Sequence, residues 1–216
     1  MEAFIGILSV LLTLLNFRLL GTSRLAAGIQ SASLQAIVLG ILPVLANPAI
    51  SIQLGIILVV ATVVKAGILP SLIRRAAREA DVQKEVDPIV GFTTSLLIGV
   101  GLLVACLVIS RHLRLPVEAG SGLLVPVALF TVFSGLFLIV FRRQAVTQVL
   151  GYLVMENGIY LFGMAFAVRE AFLVEMGVLL DVFAAVFVMG IAIYHISREF
   201  DHIDIQRLPT QKRGPE

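Results

Sequence analysis

The sequence predicts an all-α, polytopic integral membrane protein with seven transmembrane helices. Hydrophobic residues make up 59% of the 216 residues, charged residues only 14%, and mean hydropathy is +1.03. Soluble domains do not reach that composition. Seven separate runs supply the ~20 apolar residues that a helix needs to cross the hydrocarbon core. Between the runs lie short polar connections that carry most of the charge.

The first run, Ala3–Leu20, is the shortest and carries Asn16 and Arg18 near its end. It lacks a basic leader and a clear cleavage site, so it reads as a retained helix. The second, Leu25–Ala46, is unusually polar, with Gln30, Ser31, Ser33 and Gln35 available to bond between helices or to water. Asn47-Pro48 makes the tight turn into the third, Ala49–Ile73. The longest interior loop sets Arg74, Arg75, Arg78 and Lys84 against Glu79, Asp81, Glu85 and Asp87. That balance predicts a solvated helical extension and hairpin. The remaining runs are Ile89–Ser110, Gly122–Phe141, Ala145–Val168 and Phe172–Ile196, followed by a polar tail.

Seven spans place the termini on opposite sides. One side holds Arg18, Arg24, Arg74, Arg75, Arg78, Lys84, Arg142, Arg143, Arg198, Arg207, Lys212 and Arg213. The other holds Arg111, Arg114 and Arg169. By the positive-inside rule the N-terminus is outside and the C-terminus cytoplasmic. Basic residues beside apolar runs are topology signals, so a net charge of +2 and a pI near 9 do not point to nucleic acid. The stretch Arg24-Leu-Ala-Ala-Gly28 opening the second run loosely echoes Arg143-Gln-Ala-Val opening the sixth, and a duplicated three-helix unit is one reading of this.

Three ionisable residues fall deep inside apolar runs: Lys65, Glu156 and Asp181. A charge at mid-bilayer costs at least about 2.5–3.5 kcal/mol to insert and ordinarily faces a partner or a wet cavity. At 1.5 Å per residue they lie roughly 12, 16 and 22 Å from the cytoplasmic side, level enough for a lateral row. Tyr152, Glu156 and Tyr160, spaced i, i+4, i+8, share one helix face. The tyrosines either relay protons to the carboxylate or pack at helix interfaces. Asn157 and Gly158 admit a close neighbour. Gly177, Asp181, Ala184 and Ala185 share a face of the last run, whose small residues favour helix contact. Glu175 lies near that run's outer end, within reach of water. Pro70 follows Lys65 by five residues and removes a backbone donor, freeing a carbonyl near Ala66. The alternatives for Lys65 are a titratable group at a helix break or a side chain snorkelling to the cytoplasmic surface.

The lone Cys106 makes no internal disulfide and cannot hold an iron–sulfur cluster, which takes four ligands as a rule. It reads as a small buried apolar residue. His112, His195 and His202 have no metal-ligand spacing. No phosphate loop, nucleophile elbow or cofactor fingerprint is present. The chain is expected to hold no catalytic residue, metal or cofactor of its own.

The segments Gly151-Tyr-Leu-Val-Met-Glu-Asn-Gly158, Glu175-Met-Gly-Val-Leu-Leu-Asp-Val-Phe-Ala-Ala-Val-Phe-Val-Met-Gly190 and Val64-Lys-Ala-Gly-Ile-Leu-Pro70 resemble hydrogenase-4 component E, a membrane subunit of complex-I-like [NiFe] hydrogenases. The last three runs are also similar to the small K subunit of respiratory complex I and to its counterpart in multi-subunit Na⁺/H⁺ antiporters. That group carries a carboxylate in each of its last two helices. Glu156 matches the first and Asp181 the second, where complex I has Glu, so the reach is one methylene shorter. The resemblance implies three regions: an N-terminal four-helix region over 1–120, a K-like three-helix unit over 121–196 and a cytoplasmic tail over 197–216. It implies a non-redox subunit in the cytoplasmic (inner) membrane that contributes Glu156, Asp181 and Lys65 to proton translocation. Its partners would be antiporter-like subunits, subunits of a quinone or hydrogenase module, and lipid, with nickel and iron–sulfur centres in partner subunits. The alternatives are a subunit of a cation/proton antiporter or another complex-I-like assembly, and an assembly scaffold whose buried charges are structural pairs.

Overall fold

A computed structural model of the chain describes residues 2–46, 52–79, 88–113 and 122–166. The described residues are helical apart from short connections. Helix α1 spans Glu2–Gly21, α2 Leu25–Ala46, α3 Ile52–Val63, α4 Leu69–Glu79, α5 Phe92–His112, α6 Leu124–Phe141 and α7 Ala145–Phe166. A single π-helical turn, Val64–Ile68, joins α3 to α4. Four of these helices are long and apolar enough to cross a membrane: the first two, α5 and α6. Helix α7 is as long as α2, with 22 residues, but carries Gln148, Glu156 and Asn157 in its sequence. The third predicted run is interrupted by the π turn. The predicted seventh run, the Asn47-Pro48 turn, the hairpin tip and the tail lie outside the described residues.

Helix boundaries follow local chemistry. Helix α1 ends at Gly21, the Thr22 hydroxyl accepts the Arg24 amide at 3.2 Å, and the Arg24 carbonyl starts α2 by accepting from Ala27 and Gly28. Pro126 sits in the first turn of α6, where its missing N–H costs nothing. Pro43 lies inside α2, three residues from its end. Helix α4 buries Leu69, Ile73, Ala76 and Ala77 and turns Arg74, Arg75 and Arg78 outward, so the third run does continue as an amphipathic extension. The predicted start of the fourth run at Ile89 is moved to Phe92. The Ile89 amide instead donates to the Phe141 carbonyl, and Gly91 opens the helix.

Two helical hairpins, α1–α2 and α6–α7, pack side by side, with α1 against α6 and α2 against α7. Helix α5 lies on α1 and α6; α3, the π turn and α4 lie on α2, and α4 also reaches α7. The closest packing is between α6 and α7. A Cβ on Gly151 would stand 2.8 Å from the Gly135 carbonyl oxygen, and one on Gly158 2.5 Å from the Val132 amide nitrogen. Only glycine permits these backbones to approach so closely.

Two apolar clusters fill the bundle. One gathers Leu19, Leu20, Ile29, Phe137, Leu138 and Leu150 near the short connections; the other gathers Ile5, Leu8, Leu39, Leu42, Val125 and Leu161 toward the opposite end. In sequence, Asn16, Gln35 and Asn157 fall between residues of the two clusters, and a buried polar layer forms there.

Candidate functional site: a buried lysine–glutamate pair beside an amide ladder

Glu156 lies midway along α7 and is 3% exposed. Its Oε1 is 2.7 Å from Nζ of Lys65, and the lysine side chain is 14% exposed. The partner that a mid-membrane carboxylate requires therefore comes from the same chain, 91 residues away. Lys65 turns its ammonium inward to that carboxylate. The two groups of the expected row that fall within the described residues touch directly. Asp181, with Glu175, Gly177, Ala184 and Ala185, lies outside those residues.

Lys65 is the second residue of the π turn. Pro70 has no N–H to give to the Ala66 carbonyl, and its ring would crowd that oxygen in a regular helix. The chain responds by widening one turn, so that the Leu69 amide donates to Val64 O, five residues back. The expected break beside Lys65 is thus a π bulge, a feature frequent at functional sites. It inserts one extra residue and re-aims the lysine relative to α4.

Tyr160, one turn beyond Glu156, has its ring centroid 5.5 Å from Lys65 Nζ. At that range the ring face attracts the cation. Tyr152, one turn before Glu156, is half-buried against the apolar cluster near the connections. The three-residue face read from spacing is therefore shared: Tyr160 stands at the cation and Tyr152 packs.

Beside the ion pair runs a ladder of side-chain bonds across four helices. Asn157 Nδ2 donates to Gln35 Oε1 at 3.5 Å, Gln35 Nε2 to Asn16 Oδ1 at 2.7 Å, and Asn16 Nδ2 to Thr131 Oγ1 at 2.8 Å. Thr131 ends it by donating to the Val127 carbonyl at 2.8 Å. All four side chains are buried. Gln35 thus bonds between helices, while Gln30 accepts from Arg18 at an exposed edge. Asn16 was visible in the sequence only as a polar residue near the end of an apolar run.

Arg142 has a structural role that sequence reasoning missed. Counted there as a topology signal, it is 1% exposed. Its guanidinium donates to Leu20 O at 2.9 Å, Val90 O at 3.2 Å and Ser95 Oγ at 3.4 Å, and its Cζ lies 4.5 Å from the Phe92 ring centroid. Those bonds tie α6 to the end of α1 and to the start of α5. The available signal was the adjacent pair Arg142-Arg143 in a three-residue connection, where the helix ends leave one side chain to face inward. Cys106 is buried as expected, and no cluster of potential metal ligands forms among the described residues.

Comparison with known proteins adds a second line. Residues 123–213 match the family model of NADH-ubiquinone/plastoquinone oxidoreductase chain 4L. The chain is 34% identical over 146 residues to an uncharacterized protein of Mycobacterium tuberculosis, covering 67% of this chain and 66% of that one. It is 29% identical over 152 residues to hydrogenase-4 component E of Escherichia coli K12, covering 70% of each, and equally similar to that component in Shigella flexneri. No solved structure matches the chain. Helices of membrane-spanning length and these membrane-complex relatives agree: the chain is a multi-pass membrane protein, a homologue of hydrogenase-4 component E whose residues 123–213 carry the chain 4L domain of NADH–quinone oxidoreductases.

Proposed function

We propose that this chain is the non-redox membrane subunit of a complex-I-like, membrane-bound [NiFe] hydrogenase, and that Glu156 and Lys65 act in it as a proton relay. The observation that carries the reading is the 2.7 Å Lys65–Glu156 pair, buried at mid-helix on a π turn. A proton arriving along the membrane axis would be taken up at the Glu156 carboxylate. Protonation of Glu156 removes the attraction that holds Lys65, and loss of that proton restores it. The wide π turn supports such movement, since it already departs from the regular helical bond pattern. Asp181 would continue the relay on the last predicted helix, with Tyr160 at the lysine and Tyr152 one turn along α7. Antiporter-like subunits and subunits of a quinone or hydrogenase module would extend it on either side, with nickel and iron–sulfur centres in those partners. In this reading the chain lies in the cytoplasmic membrane with its N-terminus outside.

Glu156→Gln in the whole complex tests this. The isostere keeps volume and hydrogen bonding and removes the titratable proton. The complex is expected to assemble and to keep redox turnover with soluble acceptors, while proton translocation into vesicles falls by about a hundredfold or more, the usual scale for losing a positioned proton-transfer group. Undiminished translocation would sink the relay.

A second reading has one observation in its favour: a direct ion pair is also what an assembly scaffold would use. There the Gln variant would fail to assemble.

A further inference from the structure

Lys65 Nζ faces two groups on α7 at once: the Glu156 carboxylate at 2.7 Å, and the Tyr160 ring at 5.5 Å from its centroid. Glu156 and Tyr160 are four residues apart in one helix, so they stand one turn apart on a single face. Lys65 meets that face from the π turn, on a flexible four-carbon stem. The Tyr160 hydroxyl forms no hydrogen bond among the described residues, whereas its ring lies within the range at which an aromatic face attracts an ammonium. Tyr160 is partly buried and the Lys65 side chain is 14% exposed, so the contact is screened far less than one at the surface.

We propose that Tyr160 is a positioning residue that gives Lys65 a second seat. When Glu156 takes up a proton, the ammonium shifts from the carboxylate toward the face of the Tyr160 ring, and it returns when the proton leaves. The inference rests on the relay reading of Glu156 and Lys65 given above, and it assigns the ring a task there. Protonation turns the carboxylate into a neutral acid, so the ammonium loses the charge that held it at that position. An ammonium in the interior is costly without a compensating group. The negative face of the ring supplies part of that compensation in either state, because it does not titrate. Its share grows once the carboxyl is neutral. The task therefore belongs to the ring, and the phenol hydroxyl, the group through which a tyrosine would pass a proton, is not needed for it.

The test makes Tyr160→Phe, Tyr160→Leu and a series with mono-, di- and trifluorinated phenylalanine at position 160, all in the whole complex, and measures proton translocation into vesicles. Ring fluorines drain the negative face and leave the ring's size nearly unchanged, so a purely structural role would not follow them. Tyr160→Phe is expected to keep translocation within about twofold, and Tyr160→Leu to lower it about tenfold, the scale of one partly desolvated cation–π contact. Translocation should fall stepwise as fluorines are added. Equal loss in Tyr160→Phe and Tyr160→Leu would assign the role to the hydroxyl and overturn the proposal. So would a flat fluorine series. Glu156→Gln, run beside them, keeps the two readings apart. If it loses translocation while the fluorine series is flat, the relay stands and the second seat fails. If it translocates fully, the relay fails, and the second seat with it.

Discussion

Glu156 and Lys65 illustrate how one buried charge fixes another. Alone, either would face the full cost of insertion; together, at 2.7 Å, they offset much of it. Removing one partner of a buried pair leaves an uncompensated charge and typically costs about 3–5 kcal/mol, whereas replacing both by apolar groups is often neutral. Lys65→Met is therefore expected to lower the thermal unfolding midpoint of the purified chain markedly, and Lys65→Met with Glu156→Met to recover most of that loss. The double variant should still translocate no protons, which separates the relay from a purely structural pair. Arg142 follows the same logic. Arg142→Leu strips a charged donor from the Leu20 and Val90 carbonyls, so we expect a loss of roughly 3–4 kcal/mol in a denaturation series. The sequence exposed the cost of Glu156 and Lys65, because polar residues stand out in apolar runs. It did not expose their pairing, because the register between helices 91 residues apart depends on packing. Arg142 was hidden for a different reason: a basic residue at a helix end has the same sequence signature whether it faces water or carbonyls.

At the scale of elements, the hairpin α6–α7 is specified by its glycines. Gly158 offers a Cβ only 2.5 Å from the Val132 nitrogen and 3.0 Å from the Ala128 oxygen, both backbone atoms that cannot swing aside. Gly158→Ala should push the helices apart and cost about 1–3 kcal/mol, the range for overpacking a close contact. Gly101→Ala on α5, where a Cβ meets nothing within 4 Å, should be neutral or slightly stabilising. Unfolding midpoints of the two variants compared side by side check the contrast. Helix ends were legible because apolar runs give way abruptly to Gly21-Thr22-Ser23 or Arg142-Arg143-Gln144; the second run was placed at Leu25–Ala46, where the helix lies. The break near Pro70 was legible as a missing donor. Its form as a π turn was not, since a helix can answer a proline by kinking or by widening, and neighbouring contacts decide which.

Over the whole molecule, the two hairpins share a plan. Gly21 and Phe141 end their first helices, and Leu25 and Ala145 begin their second, so both boundaries are 120 residues apart. The faint echo between Arg24 and Arg143 falls one residue off that register, and the polar groups have diverged: α7 has Glu156 where α2 has Ala36. Matching hairpins put both connections at one end of the bundle, and the Val90 segment joins them there through Arg142. Of the basic residues described outside the ion pair, Arg18, Arg24, Arg74, Arg75, Arg78, Arg142 and Arg143 belong to that end or to the extension leading to it, and Arg111 lies at the far end of α5. In the proposed orientation, by the positive-inside rule, the connected end faces the cytoplasm. Cysteine labelling decides it, and Cys106, being buried, can be replaced by Ala for a clean background. In intact cells a membrane-impermeant maleimide should label His112→Cys and spare Arg78→Cys; in inverted vesicles the pattern should reverse. Both positions are exposed, so access depends on the side of the membrane and not on packing. Labelling of Arg78→Cys in intact cells would turn the molecule over. The basic end would then need an explanation other than topology.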